Sequence, residues 1–212
     1  GVDMLHVKTG NVTGKAGLIE KGLAQLLIEP IFIKAIKRYY SDIKFDLIMY
    51  STPPITFCNV IEYIKKRDGA KSYLLLKDIF PQNAVDIGMM QKNGLKGILY
   101  RFFRDKEKKL YKISDYIGCM SKANIEYVIR NNPEINSDKV ILCPNCIEPI
   151  DMSISTDIRK HLREKYDIPQ DKTVFVYGGN LGRPQGIPFI IKCLEKLKSW
   201  DFLNRTQLKQ KL

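Results

Sequence analysis

Thr173 to Leu197 reads TVFVYGGNLGRPQGIPFIIKCLEKL. A short apolar run rich in β-branched residues stops at Gly178-Gly179. Gly182 and Gly186 follow, and then Ile187, Ile190, Ile191, Leu194 and Leu197 recur at helical spacing. The order predicts strand, glycine loop, helix. Such a junction suits a phosphate group, because small residues let a ligand approach the backbone and the N–H groups of a helix start carry partial positive charge. Arg183 lies in the loop and offers a forked donor for phosphate oxygens. Equally, glycines there need only make a tight turn between strand and helix, and one glycine-rich loop does not separate the two readings.

Upstream, the same alternation recurs. Met4 to Val7 reads as a short strand. Leu18, Ile19, Leu23, Leu26 and Leu27 predict a helix ending at Pro30, with a second helical piece through Ile33, Ile36 and Tyr40 to Ser41. Phe45 to Tyr50 (FDLIMY) is apolar enough for a buried strand, and Ser51-Thr52-Pro53-Pro54 ends it. A helix through Phe57, Val60, Ile61 and Ile64 precedes a strand at Ser72 to Leu76. Asp78 to Asn83 forms a loop, and a long helix runs from Leu95 to Ile113. Tyr116 to Met120 is a strand, Ala123 to Arg130 a helix and Lys139 to Cys143 a strand. Strands alternating with helices, several without polar alternation, imply a Rossmann-like α/β domain: a parallel sheet with helices on both faces. Pro144 to Ser155 is proline-punctuated and reads as a crossing between domains, followed by a helix over Thr156 to Tyr166. The expected division is 1–148 for the first domain and 149–212 for the start of a second, of which the opening stretch would be the first βα unit.

In open α/β sheets ligands bind beyond the carboxyl ends of the strands. That rule selects the loops Ser51 to Pro54, Lys77 to Asn83, Ser121 to Asn124, Pro144-Asn145 and Gly178 to Gly186.

Composition narrows the partners. Within 212 residues, 35 Lys and Arg against 23 Asp and Glu give a net charge of +12, which favours an anionic partner: nucleic acid, an acidic membrane face or phosphorylated substrates. No apolar run approaches the roughly 18 residues that span a bilayer. No secretory signal pattern is present, and an odd number of cysteines, five, fits a reducing compartment. A cytoplasmic chain is expected on these grounds.

Taken together, STPP after one strand, KDIFPQNAVDIG after the next, SDYIGCMS, KVILCPN and VYGGNLGRPQG fall in an order that resembles a family-four glycosyltransferase of the GT-B fold, of the kind found in capsular and cell-surface polysaccharide synthesis. The resemblance runs from Val2 to about Leu197. It implies two Rossmann-like domains facing a cleft, the first holding the acceptor and the second the nucleotide-sugar donor. By the same resemblance Gly178, Gly179, Asn180, Gly182 and Arg183 meet the donor diphosphate, while Ser51, Asp78, Ser121 and Asn145 line the acceptor side. Asp78 is the carboxylate best placed in sequence to orient or deprotonate an acceptor hydroxyl, although it equally suits capping the turn before Pro81. Retention of anomeric configuration is implied, with no cofactor and no obligatory metal. The acceptor would be a glycan or a lipid-linked sugar.

Two local departures stand out: Gln185 where many members carry a basic residue, and Cys146 where a glycine usually follows the Pro-Asn pair. A larger departure is that the family's first strand would precede Gly1 and its paired glutamates would lie beyond Leu197. The expectation is therefore a central piece of such an enzyme, inactive or nearly so alone. Its alternative is a noncatalytic remnant or partner subunit, completed by a chain that carries the donor half.

Other signals lead less far. Cys143-x-x-Cys146 lacks the second ligand pair of a structural zinc site. Arg101, Arg104, Lys108 and Lys112 share one side of the long helix, with Tyr100 and Tyr111 flanking and Leu95, Ile98, Leu99, Phe102, Leu110 and Ile113 opposite. That pattern reads first as a solvated face over a core face, and second as peripheral contact with anionic lipid on the inner face of the plasma membrane. A nucleic-acid-binding module is disfavoured because no RNP, KH, zinc-finger or helix-turn-helix pattern occurs. GGNLG lacks the G-x-G-x-x-G spacing of a dinucleotide-dependent oxidoreductase.

Overall fold

The computed structural model describes residues 2–10, 18–94, 97–151 and 153–198. Two compact units divide the chain, Gly1–Cys146 and Ile147–Leu212.

In the first unit a four-stranded parallel sheet is built from β1 (Leu47–Ser51), β2 (Lys71–Leu76), β3 (Tyr116–Cys119) and β4 (Val140–Leu142), in the order β1-β2-β3-β4. Tyr50 pairs with Leu74, Leu74 with Ile117, and Ile117 with Val140. The fold is Rossmann-like α/β. Crossovers run through α2 (Cys58–Asp68), then the short α3 (Gln82–Asp86) and long α4 (Gly97–Ile113), then α5 (Lys122–Asn131). One core joins Cys58 and Ile61 of α2, Leu74 and Leu76 of β2, Leu110 and Tyr111 of α4, Ile117 and Cys119 of β3, Val128 of α5 and Val140 of β4.

Strands added in one direction by right-handed crossovers put their helices on one face. Cover for the opposite face comes from a reversal of strand order, as in doubly wound sheets, and the described strands contain no reversal. Leu47, Met49, Tyr116 and Ile141 are accordingly exposed. Alternation along β2 follows the same logic, with Ser72, Leu74 and Leu76 buried and Lys71 exposed.

Several sequence expectations need correction. Met4 to Val7 forms no strand. The helix α1 (Leu18–Tyr39) runs through Pro30 without dividing there. Proline removes only one ladder bond, and tertiary contacts hold the turn on each side of it. Ile36, in the last third of α1, packs with Val60 and Ile64 of α2. Glu29 reaches the start of α2, where its carboxylate accepts from the Asn59 backbone N–H at 2.6 Å and from Asn59 Nδ2 at 2.9 Å. That carboxylate satisfies an early α2 donor that Phe57, at the N-cap, leaves without a side-chain partner.

In the second unit, α6 (Thr156–Lys165) is capped by Ser155, whose Oγ accepts from Ile158 N, and α7 spans Ile187–Lys198. Thr173 to Tyr177 is not a strand. A parallel strand needs a neighbour for its backbone groups, and the described residues of this unit supply none, so Phe175 and Val176 stand exposed.

Candidate functional site

Because the four strands are parallel, Ser51, the last residue of β1, and Asp78, Ser121 and Asn145, which follow the ends of β2, β3 and β4, share the carboxyl edge of the sheet in the order of the strands. No side-chain hydrogen bond joins any of these four residues to another. The loops themselves are linked one residue away: Thr52, 2% exposed, donates through Oγ1 to the backbone carbonyl of Asp78 at 3.1 Å, and its own N–H donates to Leu75 O at 3.2 Å. The loop after β1 thereby fixes the backbone that carries Asp78, whose side chain is exposed. Ser121 is the N-cap of α5, its Oγ accepting from Asn124 N at 3.2 Å. That bond uses an acceptor lone pair and leaves the hydroxyl proton available. Asn145 is exposed, beyond the last strand.

Buried polar atoms in the same loops escaped the sequence reading. Thr56 Oγ1, Gln82 Oε1 and Asn83 Oδ1 are buried without a hydrogen-bond partner. Buried oxygens usually have one, and all three follow β1 or β2 at the carboxyl edge. Gln82 donates through Nε2 to Asp86 Oδ1 at 2.6 Å, which holds its amide in place. The available signal was the Gln82-Asn83 pair inside a loop already chosen by the strand-end rule; periodicity alone does not single out polar side chains.

Behind the edge, the sheet packs around ionisable side chains whose pKa values burial raises. Tyr50 shares a 2.6 Å hydrogen bond with Ser114 Oγ, and burial pushes its phenol well above the ordinary range. Burial likewise raises the Cys58 and Cys119 thiols to about 11.

The glycine loop belongs to the second unit. Gly179 has φ 151° and Gly186 φ 63°, values that favour glycine, while a Cβ on Gly178 would meet nothing within 4 Å. Tyr177 Oη donates to Asn180 O at 3.0 Å across the turn. A short 3-10 turn over Arg183–Gln185 leads into α7, with Gln185 N donating to Gly182 O at 3.2 Å and Phe189 N to Gly186 O at 2.8 Å. An open glycine backbone thus leads directly into the start of α7, and the side chain of Arg183 lies outside the described residues.

The long helix departs from its expected faces. Tyr111 is buried, donating to Glu107 Oε1 at 2.7 Å, and Arg104 is turned inward, donating to Glu107 Oε2 at 2.7 Å and to Asn132 Oδ1 at 2.7 Å. Burial raises the Glu107 carboxyl above its usual value despite Arg104. Lys108 pairs with Glu134 at 3.4 Å. Ile98, Leu99 and Phe102, expected in the core, are exposed, and Leu95 lies outside the described residues. A polar trio at Arg104, Glu107 and Tyr111 takes the buried side because each satisfies another's hydrogen-bonding groups.

No family model matches the chain. It is 24% identical over 195 residues to "Probable glycosyltransferase WbjE" of Pseudomonas aeruginosa, an alignment covering 88% of this chain and 45% of that protein. It is also 24% identical over 147 residues to "Putative colanic acid biosynthesis glycosyl transferase WcaI" of Escherichia coli K12, covering 68% of this chain and 35% of that protein. The chain is a relative of glycosyltransferases. Its parallel sheet and strand-end loops agree with the resemblance read from its motifs. This glycosyltransferase relative spans less than half the length of either matched protein. No described helix is long and apolar enough to cross a membrane.

Proposed function

We propose that the chain serves the transfer of a sugar from a nucleotide-sugar donor to a glycan or lipid-linked acceptor in polysaccharide biosynthesis. The similarity to a glycosyltransferase over 195 residues carries this reading. Residues 1–148 would be the acceptor side and 149–212 the beginning of the donor side. In the transfer, the bond from the anomeric carbon to the diphosphate oxygen breaks and an acceptor hydroxyl oxygen bonds to that carbon. The hydroxyl proton passes to Asp78 or to the departing phosphate. Gly178, Gly179, Asn180 and Gly182 present backbone to the diphosphate, and Arg183 with the start of α7 stabilises its growing charge, an electrostatic task needing no metal or other cofactor. Ser51, Ser121 and Asn145 would contact acceptor hydroxyls.

The test is binding of a panel of nucleotide sugars to the 212-residue chain, observed by ligand NMR. Binding of at least one, competed by its nucleoside diphosphate and weakened about tenfold or more by Arg183→Ala, is the expected result. Absence of binding across the panel would sink the reading.

A further inference from the structure

The segment Cys143-Pro144-Asn145-Cys146 follows β4 and closes the first unit. Its two thiols are held differently. Cys143 is half-buried: its N–H donates to Cys119 O at 2.7 Å, its Cβ lies against Gly118, and its thiol sits beside the Tyr73 phenol. Cys146 is exposed, as are Pro144 and Asn145 between the two. All five cysteines of the chain are free. Cys58 and Cys119 lie in the core at 0% exposure, where burial raises their thiols to about 11, and both inaccessibility and a small thiolate fraction make them inert to exchange. Cys119 is also no partner for Cys143, because Gly118, against which Cys143 packs, points to the opposite face of β3 from Cys119.

Residues 143–150 contain no turn, bend or regular element. Four residues held open in this way set their end Cα atoms about 10 Å apart, whereas a disulfide requires about 4.4–6.8 Å. The pair is therefore open as it stands. Pro144-Asn145 is nevertheless suited to closing it. Proline fixes φ near the value needed at the second position of a β-turn and asparagine tolerates the left-handed third position, a turn that brings the first and fourth Cα within about 7 Å. Exposure of Pro144, Asn145 and Cys146 leaves that bend free of packed neighbours. Among the described residues no group of three His, Cys, Asp or Glu side chains could hold a metal ion, so thiol–disulfide exchange is the chemistry that two cysteines at this spacing support.

We propose that Cys143 and Cys146 form a redox modification site, at which a low-molecular-weight disulfide such as oxidised glutathione converts the open segment after β4 into a disulfide-closed turn. The Cys146 thiolate attacks one sulfur of the small disulfide, whose S–S bond breaks; one glutathione leaves as its thiolate and a mixed disulfide stands on Cys146 Sγ. The Cys143 thiolate then attacks Cys146 Sγ and expels the second glutathione thiolate. Each departing thiolate takes up a proton that a cysteine has released, so the protein loses two electrons and two protons and the small disulfide gains both. Exposure suits Cys146 to the first attack, and shelter beside Tyr73 suits Cys143 to the second. Closing the turn swings Asn145 at the carboxyl edge of the sheet. The exchange involves neither sugar nor nucleotide, so its failure and that of the transfer reading are distinguishable.

The test equilibrates the reduced 212-residue chain with glutathione buffers of rising oxidised fraction, blocks free thiols with iodoacetamide and maps tryptic peptides by mass spectrometry. Cys143 and Cys146 share the peptide Val140–Arg159, so an internal disulfide shows there as the loss of two hydrogens with no alkylation. That species is expected to predominate while Cys58 and Cys119 stay reduced. Cys143→Ser should raise the yield of glutathione held on Cys146 about tenfold or more, because the resolving thiol is gone. Cys146→Ser, at an exposed position, should slow uptake of glutathione by the same peptide about tenfold or more. A wild-type chain that gives no oxidised form, or that stops at the mixed disulfide, would overturn the proposal. A bridge to Cys193 would overturn it too, as would uptake undiminished in Cys146→Ser. Oxidation of Cys143 and Cys146 only together with Cys58 and Cys119 would report unfolding instead of a site in the folded chain, and would equally overturn it.

Discussion

The Thr52 hydroxyl donates to the backbone carbonyl of Asp78 at 3.1 Å, so the loop that follows β1 holds the loop that follows β2. Thr52→Val keeps the shape and removes the donor. Loss of one such bond costs about 1 kcal/mol of folding stability, because the carbonyl can regain water at the exposed Asp78. Urea unfolding would measure that cost, and amide exchange through Lys77 to Phe80 should quicken more than in the rest of the sheet. If exchange at these positions is unchanged, the two loops are held independently.

At the opposite edge of the sheet, Asp115 Oδ2 accepts from Lys65 Nζ at 2.6 Å, from Ser72 N at 2.8 Å and from Ser72 Oγ at 2.9 Å. Burial acts to raise this carboxyl, but Lys65 and the two Ser72 donors outweigh it and hold it below the usual carboxylate value. A depressed folded-state value means the contribution is fully present above the unfolded value of about 3.9 and is lost as pH falls through the folded one. Asp115→Ala also strands the buried Ser72 N–H, and the expected loss is about 1–3 kcal/mol at pH 7. Denaturation at pH 7 and again below pH 4 should show the gap between wild type and variant closing in acid. A gap independent of pH would mean that the ionised carboxylate is not what stabilises the β2–β3 edge.

Strand and helix order in the first unit was legible because apolar runs such as Ser72 to Leu76 and Tyr116 to Met120 are bounded by clear turn residues. The faces of those elements were harder to read. Leu47 and Met49 look as buried in sequence as Leu74 and Leu76, and only the direction in which strands are added decides which face receives helices. On α4, hydropathy assigned Ile98, Leu99 and Phe102 to the core, whereas a mutually bonded set of Arg104, Glu107 and Tyr111 took the inward turns. Thr173 to Tyr177 has strand composition, but pairing depends on neighbours that a local reading cannot see. The strand-end rule selected the loops, and the family resemblance named Ser51, Asp78, Ser121 and Asn145 within them, while the tie from Thr52 follows from packing between loops 26 residues apart.

Gly118 in β3 shows how tightly two strands and a loop are fitted on the open face. A Cβ there would lie 2.6 Å from Tyr73 Oη, 2.9 Å from its Cε1 and 2.8 Å from Cys143 Cβ. Tyr73 leans over β3, stacked with Tyr116 at 6.3 Å, and burial together with the Cys143 thiol raises its phenol to about 12. Gly118→Ala forces the Tyr73 ring and the start of the loop after β4 apart, an overpacking expected to cost about 1–3 kcal/mol. Chemical denaturation would read the loss. Combining Gly118→Ala with Tyr73→Ala removes two of the three close contacts, so the pair should cost less than the sum of the single changes by about 0.5 kcal/mol or more. Strict additivity would show that Cys143 alone sets the limit at this position, and that the Tyr73 ring can swing clear without cost.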